Sequence, residues 1–176
     1  MDDPENNAFE SGSPVIYTVG TSTHSREEFL DLLRAYGIGA VLDVRRFPTS
    51  RRYPHFSRTS LASWLAASGI SYHYLGDSLG GYRRGGYEAY TTTAAFRQGL
   101  EQAMDLAARG PAAIMCCERF PWRCHRRFIA RHLAALGWQV VHILDHDRTY
   151  VPANLKTDAS VIGEREKIIS SGRANR

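Results

Sequence analysis

The stretch from Ala112 to Leu136, AAIMCCERFPWRCHRRFIARHLAAL, constrains this chain more than any other. It opens on a continuous apolar run, Ala112 to Cys116, of the kind a buried parallel strand shows, and closes with Phe128, Ile129, His132, Leu133 and Leu136 at helical spacing. The turn between them holds all three cysteines, Cys116, Cys117 and Cys124, together with Glu118, His125, Arg119, Arg123, Arg126 and Arg127. Backbone N–H groups at a helix N-terminus attract anions and lower the pKa of a nearby thiol. A strand-to-helix turn of this composition is therefore the first candidate for an active site.

The rest of the chain repeats the same rhythm. Apolar strands are expected at Val15–Val19, Ala40–Val44, Ser71–Leu75, Ala112–Cys116 and Gln139–Leu144. Amphipathic helices are expected between them. One carries Phe29, Leu32, Leu33 and Tyr36 on its inner face, with Ser25 and Glu28 spaced as a capping box. The next carries Leu61, Trp64 and Leu65, and a third spans Thr93–Arg109 and ends at Gly110. Strands alternating with helices predict an α/β fold: a single three-layer domain with a mainly parallel sheet of about five strands and flanking helices. The predicted limits are a disordered lead-in over residues 1–13, the α/β domain over 14–147, and an extended or partly helical tail over 148–176.

Composition matters here for what it excludes. With 176 residues and 43% hydrophobic content, one well-buried domain is the expectation. No apolar run approaches the roughly 20 residues of a membrane span, and the first residues are acidic and polar where a signal peptide would be basic and then apolar, so no membrane partner and a cytoplasmic location are expected. Three cysteines, two of them adjacent, make a poor disulfide framework; they read as free thiols, a metal site or a redox pair. Of the 22 basic residues only Lys156 and Lys167 are lysines. Arginine binds phosphate and carboxylate in a planar, bidentate way, and this bias points to an anionic small molecule or nucleic acid as partner.

Three further segments carry candidate chemistry. Thr21 to His24 form a hydroxyl-rich loop between the first strand and the Ser25 cap, in the strand-loop-helix context that anion sites use. Asp43 and Arg45 stand at the carboxyl end of the second strand, where open α/β sheets bind ligands, and the following loop to His55 and Phe56 combines arginines with aromatics suited to gripping phosphates and stacking a base or sugar. Gly76 to Tyr87 surround Arg83 and Arg84 with glycines, which suggests a mobile loop or a lid.

Three readings of the central turn stay open on residue types alone. A cysteine is a nucleophile, with Cys117 and Arg123 at the spacing of a phosphate-binding thiol loop, although bulky residues and Pro121 depart from such loops. Alternatively, Cys116 or Cys117, together with Cys124 and His125 and with or without Glu118, hold zinc or iron. In the third reading the cysteines are small buried hydrophobes and Glu118 pairs with a neighbouring arginine.

The order Thr18-Val19-Gly20 with Ser25, Asp43-Val44-Arg45-Arg46-Phe47-Pro48, His55-Phe56, Leu79-Gly80-Gly81, and Cys116 to Glu118 followed by Cys124-His125-Arg126 resembles the domain-of-unknown-function family DUF488 over roughly Val15 to Asp145. The resemblance implies a compact α/β domain and no established reaction. It marks Gly20, Ser25, Asp43, Arg45, Pro48, His55, Gly80, Cys116, Glu118, Cys124, His125 and Arg126 as motif positions, with Cys116 rather than Cys117 as the family cysteine. The expectation is a thiol-dependent transferase or hydrolase acting on a phosphorylated or nucleotide-like substrate. Cys116, Glu118, Cys124 and His125 are its catalytic candidates; Gly20, Ser25, Asp43, Arg45, His55, Gly80, Arg123 and Arg126 are its binding candidates, with Arg126 as the anion clamp. The rival expectation is an arginine-rich nucleic-acid-binding module without catalysis.

Overall fold

The computed structural model describes residues 12–152. In chain order the elements are β1 (Val15–Gly20), α1 (Arg26–Ala35), β2 (Ala40–Asp43), α2 (Arg58–Ala67), β3 (Ser71–Tyr74), α3 (Gly76–Leu79), α4 (Tyr87–Tyr90), α5 (Ala94–Ala107), β4 (Ala112–Cys116), α6 (Arg126–Ala135), β5 (Gln139–Asp145) and β6 (Arg148–Tyr150). Short 3-10 turns lie at Pro54–Phe56 and Pro121–Arg123. The strands form one six-stranded sheet in the order β3-β2-β4-β1-β5-β6, parallel except for the antiparallel β5–β6 pair. The fold is the expected three-layer α/β domain. Its sixth strand comes from the segment read as a tail; β6 is three exposed residues with no apolar alternation to announce it. Residues 1–11 of the lead-in and 153–176 of the tail lie outside the described residues.

Alternation along β4 divides the core in two. Ala112, Ile114 and Cys116 point to one face, where α5 packs Phe96, Leu100 and Ala103 and α6 packs Ile129 and Leu133. Ala113 and Met115 point to the other face, against Phe29, Leu32 and Leu33 of α1 and Leu61, Trp64 and Leu65 of α2. Because β4 is covered on both sides, all five of its residues are buried, which is why it reads as an unbroken apolar run. The predicted capping box is formed: the Glu28 amide donates to Ser25 Oγ and the Ser25 amide to the Glu28 carboxylate.

The strand order fixes where a ligand can enter. From β1 the chain crosses over β4 to reach β2, and from β4 it crosses back over β1 to reach β5, so the loops after these neighbouring strands part in opposite directions. That divergence opens a crevice at the carboxyl edge of the sheet. In register, Gly20 sits opposite Cys116 and Asp43 opposite Met115, so β1, β2 and β4 end level and their loops meet.

Candidate active site

The crevice is an open cleft of about 1010 Å³ lined by the loops after β1, β2 and β4, by the glycine-rich segment before α4 and by the start of α6. Among the described residues, four arginines line it, Arg45, Arg46, Arg83 and Arg123, against one acid, Glu118. Cys116, Cys117, Cys124 and His125 also line it.

Cys124 is held just before α6 in an extended conformation (φ −132°, ψ 157°), and its Sγ accepts from the Arg126 amide at 3.5 Å. His125 Nδ1 lies 3.6 Å from the same sulfur. The other ring nitrogen, Nε2, donates to the Val44 carbonyl at 3.0 Å, which orients the ring and leaves Nδ1 facing Sγ. Tyr87 packs over the imidazole with ring centroids 5.1 Å apart. Donor atoms of Cys116, Cys124 and His125 all lie within 4.8 Å of one another.

The three thiols are not equivalent. Cys116 is buried, and its S–H, donated toward the neighbouring sulfurs, together with burial raises its pKa well above the ordinary range. The same hydrogen bond lowers Cys124, and the His125 ring and the Arg126 charge lower it further, against the opposing effect of burial. The thiolate therefore belongs on Cys124, with Cys116 as its protonated neighbour. Cys117 is exposed at the cleft, and the Cys116 hydrogen bond and the Arg45 charge lower its thiol as well.

Arg45 is 6% exposed and clamps Asp43 in a bidentate pair, Nε to Oδ1 at 2.9 Å and Nη2 to Oδ2 at 2.7 Å, while Nη1 donates to the Phe56 carbonyl. Asp43 is fully buried and also accepts the Tyr72 hydroxyl at 2.7 Å. Asp43 thus fixes Arg45 at the cleft wall and does not reach the cleft itself.

Arg126 is placed otherwise than the sequence suggested. It has no exposed surface and does not line the cleft. Its guanidinium runs under the turn, donating to the carbonyls of Glu118 and Arg119 and to Thr18 Oγ1. It cannot clamp a ligand directly; it ties the turn after β4 to the start of α6. The turn can fold down this far because Gly20 has no side chain: a Cβ there would run into the Glu118 carbonyl and Arg119 Cα.

Other binding candidates have packing duties. Ser25 caps α1. His55 donates from Nε2 to the His24 carbonyl and packs on Phe56, away from the cleft lining. Gly80 sits where a Cβ would meet Gly76 and Arg46. Glu118 lines the cleft and accepts from the Phe120 amide through Oε1, while Arg123 lines it on the same turn. The glycine-rich segment is pinned instead of hanging as a free lid: Arg83 donates to the carbonyls of Gly76, Asp77 and Gly80 and lies 3.9 Å over the Tyr90 ring. Phe47, Tyr82 and Tyr87 line the cleft as well, and periodicity gave no sign of this, because loop aromatics have no period.

Comparison with known proteins bears directly on this turn. The profile of "Domain of unknown function DUF488" matches residues 25–133. This chain belongs to the DUF488 family. The DUF488 match covers Asp43, Arg45, Cys116, Glu118, Cys124 and His125, and leaves Gly20 just outside it. No curated protein and no solved structure matches the chain. Among the described residues, no helix is long and apolar enough to cross a membrane.

Proposed function

We propose that this DUF488 protein is a thiol-dependent enzyme, a transferase or hydrolase, acting on an anionic substrate with Cys124 as nucleophile. The observation that carries this reading is the environment of one sulfur. Cys124 Sγ meets the His125 ring, the Arg126 amide and a second thiol at the wall of a cleft where four arginines face one acid. In the reaction the Cys124 thiol passes its proton to His125 Nδ1, the sulfur forms a bond to the electrophilic centre of the substrate, the bond to the leaving group breaks, and Nδ1 delivers that proton to the leaving group. An acceptor or water then cleaves the S-linked intermediate. Arg45 and Arg123 orient the anion, and Cys116 donates its S–H toward the resting thiolate.

Alkylation of the Cys117→Ser protein tests this. Mass-spectrometric mapping near pH 6 is expected to find Cys124 modified well before Cys116, and faster by anionic iodoacetate than by neutral iodoacetamide. His125→Ala should slow both reagents. Equal rates for the two reagents, or modification of Cys116 first, would contradict the reading.

A second reading rests on the donor set. Cys116, Cys124 and the Nδ1 of His125 suit a borderline-soft divalent metal such as zinc, and the Nε2 bond to the Val44 carbonyl is the outer-shell support that metal-bound histidines commonly have. Stoichiometric zinc in the purified protein, with loss of titratable thiols on zinc addition, would favour the metal over the nucleophile.

A further inference from the structure

The cleft is larger than an oxyanion needs, and its rim carries two aromatic rings that the fold leaves uncovered. Phe47 is 67% exposed and Tyr82 is 91% exposed. Both line the cleft, and their ring centroids stand 6.0 Å apart at 44°. Tyr82 also takes a left-handed backbone conformation, φ 56°, which disfavours any residue but glycine. An exposed ring held on an unfavourable backbone is not explained by the packing of this domain.

The two loops that present these rings are locked together. A Cβ on Gly76 would strike the Arg45 carbonyl, and one on Gly80 would strike Arg46 Cα, so both glycines are there to let the loops after β2 and β3 touch. Tyr74 donates its hydroxyl to the Arg46 carbonyl at 3.2 Å, Arg46 pairs with Asp77 at 3.3 Å, and Arg83 fixes the segment that carries Tyr82. The aromatic pair is therefore a preformed surface. The rings already touch each other, so a flat guest packs against the pair and not between its members. The same cleft offers the hydroxyls of Thr21, Ser22, Thr49 and Ser50, along with its arginines.

We infer that the substrate is of the nucleoside-monophosphate class, its phosphate beside Cys124 and its base stacked on Phe47 and Tyr82. Base–aromatic stacking tolerates many bases, so the pair selects for a flat ring more than for one sequence of hydrogen bonds. The inference rests on the anionic substrate proposed above.

Equilibrium binding of AMP, GMP, CMP and UMP, with adenosine and inorganic phosphate as partial probes, tests it. At least one monophosphate should bind more tightly than both adenosine and inorganic phosphate. Phe47→Ala and Tyr82→Ala should each weaken that monophosphate roughly tenfold, and Tyr82→Phe should restore it. Neither alanine variant should change phosphate binding or the iodoacetate rate at Cys124. Failure of all four monophosphates to bind, equal affinity for phosphate alone, or indifference to both alanine variants overturns the inference. So does a single-stranded oligonucleotide that binds far more tightly than any monophosphate with steep salt dependence, since that marks a nucleic-acid strand as the guest. If monophosphates bind through the two rings while iodoacetate holds no advantage at Cys124, the thiol reading fails and the ring site stands.

Discussion

Two arginines flank the cysteine turn, and the fold treats them in opposite ways. Arg45 reaches the cleft wall with its charge met by the Asp43 carboxylate at 2.7 Å. Arg126 is sealed below the cleft, and among the described residues its guanidinium bonds only neutral oxygens, those of Glu118, Arg119 and Thr18, and its Nε has no hydrogen-bond partner. A buried charge without an opposite charge is costly, and carbonyl oxygens only partly offset that cost. The anionic group that the structure sets near Arg126 is the Cys124 sulfur, whose pKa the Arg126 charge helps to lower. One arginine therefore has a permanent counter-ion, and the other has one only while a thiol is ionised. The difference teaches that the surroundings of Arg126 favour the ionised form of Cys124.

The largest expected effect lies on the Arg45 side. Asp43→Asn removes a fully buried carboxylate and strands the guanidinium, and should lower the unfolding free energy by about 3–5 kcal/mol in urea titration. A loss near zero would mean that Arg45 turns out to water and that the pairing is incidental.

A pH experiment sharpens the Arg126 side. Thr18 Oγ1 accepts from Arg126 and lies 2.6 Å from Nδ1 of the buried His142. Burial first, and then the Arg126 charge, push it down to about 4. The unfolded chain binds the proton near 6.5, so the stabilisation is fully present above that pH and is lost as pH falls from about 6.5 toward 4. The loss attributable to His142 should approach 3 kcal/mol at about 1.4 kcal/mol per pH unit. A His142→Gln variant should be flatter through that window, and an identical acid slope in both proteins would contradict the assignment.

A smaller cost is expected from Arg126→Met. It leaves two carbonyls without a donor but strands no charge, because Cys124 can take up a proton; the expected loss is about 1–3 kcal/mol. The same variant should raise the Cys124 thiol toward its ordinary range. If Arg126→Met costs as much as Asp43→Asn, or leaves the thiol unchanged, the contrast between the two arginines does not hold.

This contrast also marks where sequence reasoning ends. The strands, the long helices and the Ser25–Glu28 cap are legible because periodicity and capping are local, and the buried run Ala112–Cys116 announces the central strand. Arg45 and Arg126 look alike in sequence: each stands in an arginine-rich stretch beside an element end. Which one faces the cleft depends on how far the turn after β4 folds under Gly20, a tertiary contact with no local signature. The choice among the cysteines is similar. The resemblance singles out Cys116, whereas the helix start, the His125 ring and the Arg126 charge converge on Cys124. The meeting of Phe47 with Tyr82 has no local signature, because exposed loop aromatics have meaning only once the cleft between their loops is known.

The most direct test of the thiolate is its ultraviolet absorbance as a function of pH, recorded for Cys117→Ser with and without Cys124→Ser. The difference should show one thiolate persisting well below the ordinary thiol value of about 8.5, and this signal should move upward in Arg126→Met. A Cys124 midpoint at or above about 8.5 would contradict the account.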